Sequence, residues 1–227
     1  MLYRSQIPRI LLVLFFGLEF SSTACCKHGT DEAGIGKRLP SESMTYVDAI
    51  TGTKISMLTT SPAKDNKIHQ THPSWTTDQE YIVFTSNRTG SNQYFAVSIQ
   101  TGMIAQRTDD TRPGNACLSH SKNEMFYVSG RTVWDRDVDA VLRLDSAADK
   151  NTFRRKVAEL PGGTRLSGTI TVDSNGKDIY LGVQCGNSWA LMVVDNEAGS
   201  FTKIVDLDFH VRHCQAHPSI SGLIIYC

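Results

Sequence analysis

Residues 73–108, PSWTTDQEYIVFTSNRTGSNQYFAVSIQTGMIAQRT, decide the fold of this 227-residue chain. Short apolar runs rich in Ile, Val, Phe and Tyr alternate with polar segments that end at Thr89-Gly90 and Thr101-Gly102. Such runs between turn residues are typical of β-strands. The stretch therefore predicts a polar turn, an inner strand at 81–84, a hairpin, a second strand at 94–97, another hairpin and an outer strand at 103–108.

The same unit recurs along the chain. Further inner strands are expected at 124–128, 178–181 and 223–226, second strands at 140–144 and 190–194, and outer strands at 155–159 and 203–205. Intervals of about 40–55 residues with four strands each are typical of propeller blades. We therefore predict an all-β fold, a β-propeller of four-stranded antiparallel blades over residues 44–227.

The number of blades is low for a closed ring. Residues 44–48 and 54–59 flank Thr51-Gly52 and are expected to be the outer strands of a blade whose inner strands come from the other end of the chain. At about 40–50 residues per blade the chain holds about four blades, and the last has only begun at Cys227. We therefore expect an incomplete propeller and a sequence that is part of a longer gene product.

The N-terminus indicates where the protein resides. Arg4 and Arg9 accompany an apolar segment at 10–18 that is too short to span a bilayer, and small residues at 21–24 precede Cys25. This order is typical of a lipoprotein-like export signal over 1–25, with Cys25 as the lipidated residue and a linker over 26–43. The expected location is the periplasm, the outer membrane or the cell surface, with the lipid anchor as the membrane contact.

Charge and cysteine usage exclude several classes of protein. The 23 Lys and Arg residues balance 23 Asp and Glu residues, so the chain lacks the basic excess of nucleic-acid binders. Four cysteines beyond the signal region form no CxxC pair, which argues against a zinc ribbon or a thioredoxin motif. Disulfides and buried free thiols both remain open for these cysteines.

Two groups of histidines are the candidate functional residues. His69 and His72 precede the inner strand of the first unit, and three more histidines precede that of the last unit. In a propeller such segments lie at the mouth of the central channel. On an extended backbone His213, Gln215 and His217 share one face, a spacing that suits a metal or a sugar acid. The alternative for each imidazole is that it only caps its own turn.

Several of these segments resemble known propellers. Segments 73–78 and 84–90 resemble the repeat of TolB-like propellers, and residues 44–227 more specifically resemble the N-terminal part of the oligogalacturonate lyases. The second likeness is loose over 135–165 and rests on the order of Thr51-Gly52, the segment 69–72, the hairpin 86–90, the strand 94–97, Thr101-Gly102, and Ala216-His217-Pro218 followed by 224–227.

The resemblance implies a seven-bladed propeller that cleaves pectin-derived oligogalacturonides by β-elimination, with a histidine base and a divalent metal such as manganese. The base removes a proton that the adjacent uronate carboxylate acidifies, and a cation stabilises the resulting negative charge. His217 stands where the family has its base, in a His-Pro dipeptide before a strand that ends in Cys227. The expected partner is an oligogalacturonide or another uronic-acid oligosaccharide, and the expected substrate-binding residues are His69, His72, Arg212, His213 and Gln215.

The chain also departs from the family pattern. The family's metal ligands are expected beyond Cys227, and Arg212 is only a positional substitute for an arginine that the family has further upstream of its base. One alternative is therefore a non-catalytic TolB-like propeller that binds a protein or a carbohydrate at the same cellular location. A second alternative is an inactive fragment.

Overall fold

The computed structural model describes residues 34–142, 149 and 151–227. The expected export signal with Cys25 and the first part of the expected linker lie outside these residues. Within them, no helix is long and apolar enough to cross a membrane. Cys117, Cys185, Cys214 and Cys227 are free thiols.

The described chain is built almost entirely of antiparallel strands. It begins with β1 (Arg38–Leu39), β2 (Met44–Val47) and β3 (Lys54–Met57). The first blade contains β4 (Asp65–Lys67), β5 (Tyr81–Ser86), β6 (Gln93–Ser98) and β7 (Ile104–Gln106). The second contains β8 (Pro113–Leu118), β9 (Glu124–Ser129), β10 (Thr132–Asp137), the helix α1 (Val138–Leu142) and β11 (Arg154–Glu159). The third contains β12 (Thr164–Val172), β13 (Asp178–Cys185), β14 (Ser188–Asp195) and β15 (Phe201–Leu207), and β16 (Cys214–Ala216) and β17 (Ile224–Tyr226) follow.

The strand order confirms the predicted propeller. In each blade four strands pair in chain order, and β2–β3 and β16–β17 form separate two-stranded sheets. Side chains from adjacent blades pack face to face: one cluster of buried residues joins the first and second blades, and another joins the second and third. The described residues thus form an open array of three blades and two hairpins.

Contacts between blades correct our assignment of the inner strands. β12 contacts both β8 and β16, so the first strands of successive blades line the centre. The apolar runs at 81–84, 124–128 and 178–181 are second strands, and each is covered on its inner edge by a strand that the pattern did not reveal. The reason is composition: β4 reads Asp-Asn-Lys and β8 begins Pro-Gly-Asn, so neither begins as an apolar run.

The second strand expected at 140–144 is also wrong. Residues 140–142 belong to α1, and the strand beside β9 is β10 instead. Asp137 Oδ1 accepts the Ala140 N–H at 2.8 Å, which caps the first turn of the helix. Val138, Val141 and Leu142 are buried at helical spacing, which gives the turn an apolar face to pack.

The segment expected as a linker, 26–43, is partly folded onto the first blade. Ile35 is fully buried, and β1 pairs with β7 as a fifth strand. Gly36 has a φ of 80° and donates its N–H to the Gln106 carbonyl at 2.9 Å, so the chain can turn tightly into the sheet. A short segment with only two large apolar residues, Ile35 and Leu39, gives no periodic signal from which this could be predicted.

Candidate functional site

The innermost strands share a feature that positions the candidate site: each is interrupted by a bulge. In the first blade β4 pairs with residues 84–86 and Trp75 bridges Ile82, so the segment 68–73 with both its histidines projects between them. Register shifts also interrupt β8 between Pro113 and Ala116 and β12 between Ser167 and Ile170. In the last hairpin the N–H groups of residues 212 and 213 both donate to the Cys227 carbonyl. Bulges redirect side chains and are frequent next to binding sites.

These bulges contact one another around the centre. The Asn115 amide donates to the Gly168 carbonyl, and the Thr169 N–H donates to the Arg212 carbonyl at 3.0 Å. Gly168 has a φ of +82°, and a Cβ at this position would collide with the Arg212 carbonyl. The close approach of β12 to the segment before β16 therefore requires glycine.

The two histidine groups meet on these bulges, 144 residues apart in sequence. The His69 ring lies 5.3 Å from the His72 ring and 5.1 Å from the His213 ring, measured between centroids. Gln215 Nε2 donates to the Thr71 carbonyl at 3.0 Å and ties the last hairpin to the first blade. The structure therefore brings four of the expected site residues together, His69, His72, His213 and Gln215.

Burial keeps two of these imidazoles neutral. His72 is only 3% exposed, and burial, aided by the nearby His69, lowers its pKa to about 4. Burial also lowers the pKa of His69, with smaller effects from His213 and Lys67. The Nδ1 atoms of His69 and His72 lie 3.4 Å apart, and Thr71 Oγ1 lies 2.9 Å from His69 Nδ1 and 3.3 Å from His72 Nδ1. Neutral imidazoles can act here as donors or acceptors towards a polar ligand.

His217 stands between Ala216 and Pro218 of the second cavity's wall, but its own side chain lines neither cavity and caps its own turn. Its Nδ1 accepts the N–H of Ile220 at 3.0 Å and the N–H of Ser219 at 3.2 Å. Because Nδ1 is an acceptor, the neutral ring carries its proton on Nε2. In this geometry the outward-facing nitrogen of His217 is a hydrogen-bond donor.

Arg212 lies apart from this group. Its exposed guanidinium Nε is 3.4 Å from His210 Nδ1, and its side chain lines neither of the site's two cavities. The structure thus separates Arg212 from the other expected substrate-binding residues.

Two adjoining cavities lie beside the assembled histidines. His213 lines the first, His72 lines the second and His69 lines neither, while Thr71 and Gln215 belong to the walls of both. The first has a volume of about 230 Å³ and is also lined by Gln70, His213, Ile225, Tyr226 and Cys227. The second has a volume of about 310 Å³ and is also lined by His72, Pro73, His120, Thr171, Ala216 and Pro218. Their walls combine imidazole, amide and hydroxyl groups with apolar surface, as carbohydrate-sized polar ligands require.

His120 is a site residue that the sequence did not indicate. It stands alone in the turn after β8, and an isolated histidine is more often structural. The side chain lines the second cavity and is half-buried, and burial lowers its pKa. His120 follows the innermost strand β8, just as His217 follows the innermost strand β16. An alignment of the turns that follow the innermost strands could therefore have indicated His120.

The residues at this end do not by themselves hold a metal ion. Across residues 34–142, 149 and 151–227 there is no group of three His, Cys, Asp or Glu side chains that could bind one. Lys67 supplies a positive charge that acts on both His69 and His72, and its Nζ donates to the Gln70 carbonyl at 3.1 Å. Burial lowers the pKa of this ammonium group.

The architecture and the site define an open β-propeller with a polar site on its bulged inner strands. No family model and no curated protein matches the sequence. Among solved structures, an oligogalacturonate lyase from Vibrio parahaemolyticus matches with a TM-score of 0.72 at 16% identity, covering 85% of this chain and 54% of the lyase. An oligogalacturonate lyase in complex with manganese matches with a TM-score of 0.73 at 19% identity, covering 86% and 55%.

A putative TolB from Agrobacterium tumefaciens matches with a TM-score of 0.47 at 12% identity, covering 75% of this chain and 64% of that one. The structural neighbours therefore include the oligogalacturonate lyases and TolB-like propellers that the sequence resembles. The chain spans about half the length of the two lyase structures. At 16% and 19% sequence identity, the likeness to the two lyase structures establishes the propeller fold.

Proposed function

We propose that this chain is an oligogalacturonate lyase-like protein that binds pectin-derived oligogalacturonides and takes part in their β-elimination. The observation that carries the proposal is the pair of adjoining cavities, lined by imidazoles and amides from two distant segments on a propeller of lyase-like fold. The proposed location is outside the cytoplasm, in keeping with the signal-like N-terminus.

The cavity walls match the chemistry of a uronic-acid oligosaccharide. Hydroxyl groups of a sugar can exchange hydrogen bonds with the amide of Gln215, the hydroxyl of Thr71 and the neutral ring of His72. A uronate carboxylate is attracted by the ammonium group of Lys67 at the edge of the first blade. In this proposal His213 contacts the substrate in the first cavity, and His69, which lines neither cavity, supports the substrate-binding rings of His72 and His213.

His217 is the proposed base, and its geometry sets a condition for catalysis. A base must present a lone pair to the C5 proton, but the His217 lone pair faces the N–H groups of Ser219 and Ile220. The 218–220 turn must therefore release Nδ1, or the ring must change its tautomer, when substrate binds. Without that change His217 only donates a hydrogen bond.

The metal of the lyase-type reaction needs ligands that the described residues do not provide. The manganese in one of the lyase structures belongs to that protein. When bound, such a cation would stabilise the charge that develops on the uronate. No proton transfer proposed for this chain depends on it.

The test combines binding and turnover. Calorimetric titration of the purified chain with trigalacturonate is expected to give saturable binding, weakened at least about tenfold in Gln215→Ala because a hydrogen bond to the ligand is lost. His210→Ala is the matched control, since His210 stacks on Trp189 and lines neither cavity. Equal affinity in the Gln215→Ala variant, or no binding at all, would contradict the proposed site.

A second candidate function is binding without turnover, as in a non-catalytic propeller. The observation that favours it is the turn that occupies His217 Nδ1. Ultraviolet absorbance of the unsaturated product, measured with added manganese, separates the two. Product that disappears in His217→Gln supports the lyase, whereas unchanged binding with no product supports the binding protein.

A further inference from the structure

Arg107 is a buried cation without a visible partner. It follows β7 in the connection to the second blade, and its side chain is fully enclosed, with 0% exposure. Among the residues that the structure describes, its Nε, Nη1 and Nη2 atoms all lack a hydrogen-bond partner. A guanidinium carries five N–H donors, and enclosing them unpaired is strongly unfavourable.

Other buried arginines of the chain do have carboxylate partners. Arg88 contacts Glu42 at 2.8 Å and Asp65 at 2.7 Å. Arg154 contacts Asp110 at 2.6 Å. These pairs follow the general rule that a buried charge is neutralised by an opposite charge, and Arg107 departs from it.

The groups that face Arg107 do not hydrogen-bond to its guanidinium, although two carboxylates among them offset part of the effect of burial on its pKa. They are the hydroxyl of Tyr81, the guanidinium of Arg136 and the carboxylates of Asp137 and Asp139. Asp137 Oδ1 accepts the Ala140 N–H at 2.8 Å. Both Asp139 oxygens accept from Asn123 Nδ2, at 3.0 and 3.1 Å.

The guanidinium of Arg136 adds a second positive charge at the same place. Its side chain is also 0% exposed, and its Nη1 donates to the Thr152 carbonyl at 2.8 Å. Burial, followed by smaller electrostatic effects that include Arg136, lowers the pKa of Arg107 to about 9, so the group still carries its charge at neutral pH. The geometry thus places two buried guanidinium groups, together with the carboxylates of Asp137 and Asp139, between the first and second blades.

We propose that Arg107 binds a chloride ion enclosed between the first and second blades. A monatomic halide suits this position because it is compact and can accept several N–H groups at once, and each guanidinium nitrogen here is shut off from solvent. The ion accepts hydrogen bonds from the N–H groups of Arg107 and offsets the charge of that guanidinium. It is bound only in the folded chain, so it stabilises the contact between the two blades.

The test is the dependence of thermal unfolding on chloride at constant ionic strength, with gluconate as the replacing anion. The Tm of the native sequence is expected to rise by about 5–10 °C when chloride reaches about 100 times its Kd. In Arg107→Met this chloride-dependent rise disappears, and the Tm in gluconate is at least that of the native sequence because no unpaired charge remains.

Arg88→Met is the matched control. Its guanidinium is buried like that of Arg107 but is paired with carboxylates, so the variant should have a lower Tm in both salts and keep the chloride-dependent rise. The same chloride response in Arg107→Met as in the native sequence would overturn the proposal. A response to sulfate or phosphate but not to chloride would overturn the assignment of a halide.

A second measurement does not depend on the folding of a variant. Crystals of the native chain grown in bromide are expected to give an anomalous peak within hydrogen-bond distance of the Arg107 guanidinium. Ordered density at Arg107 with no bromide peak would also overturn the proposal.

Discussion

The buried ring of His72 makes stability depend on pH. Its pKa is about 4 in the folded chain, because of burial and then the nearby His69, against 6.5 for an unperturbed histidine. Between these values the unfolded chain binds a proton that the folded chain does not bind, so the free energy of unfolding decreases as the pH falls from 6.5 to 4. Above pH 6.5 the neutral His72 ring causes no loss of stability. By pH 4 the free energy of unfolding has decreased by about 3 kcal/mol.

We therefore expect His72→Gln to flatten the pH dependence of the free energy of unfolding between pH 6.5 and 4, measured by urea denaturation. His210→Gln, which changes an exposed ring, should leave the slope as it is. If His72→Gln keeps the full slope, the buried ring is not its source.

At the scale of one strand, Gly168 connects the bulge of β12 to the histidine segment before β16. Replacing it with alanine combines a strained positive φ with a Cβ that collides with the Arg212 carbonyl. We expect Gly168→Ala to lower the free energy of unfolding by at least about 3 kcal/mol, measured by urea denaturation, and to disturb the cavity beside His213.

Gly186→Ala is the control for this prediction. Gly186 has a φ of +61°, but a Cβ there meets nothing within 4 Å. The Gly186→Ala variant therefore measures only the loss of stability caused by the positive φ, about 1–2 kcal/mol. Equal losses in the two variants would mean that the contact with Arg212 does not constrain the segment.

The strands also explain which parts of the fold the sequence could predict. Apolar runs such as 81–84 and 178–181 were found because β-branched and aromatic residues between turns produce a clear signal. Innermost strands were missed, since they are polar at their starts and broken by bulges. The meeting of His69 with His213 was predictable from the blade repeat, but the cap on His217 Nδ1 depends on the exact path of one turn.

For the molecule as a whole, the N-terminal pattern predicts export and lipidation. Expression of the full chain in a bacterial host with labelled palmitate should give a labelled, membrane-associated protein. Cys25→Ala should lose the label, because the thiol that carries the lipid is gone, while Cys26→Ala should keep it. Labelling that persists in Cys25→Ala would show that Cys25 is not the lipid attachment site.

The two terminal hairpins of the open propeller should differ in stability although each contains only two strands. β2 is exposed throughout, with Met44 at 50% and Val47 at 64%, and its partner β3 has no fully buried residue. β16 instead packs on β12: the Cys214 N–H donates to Thr169 Oγ1 at 2.9 Å and the Ala216 N–H to Thr171 Oγ1 at 3.2 Å. An isolated hairpin is only marginally stable in water, so contact with a blade decides how often it opens.

Hydrogen exchange measured by mass spectrometry should therefore give three levels of protection. Amides of β13 and β14 should exchange slowest, since their central side chains are fully buried. Amides of β2 and β3 should exchange at least about a hundredfold faster, and those of β16 should lie between these limits. Equal exchange of the two hairpins would contradict this order, because it would mean that the innermost strands gain no protection from their neighbours around the centre of the propeller.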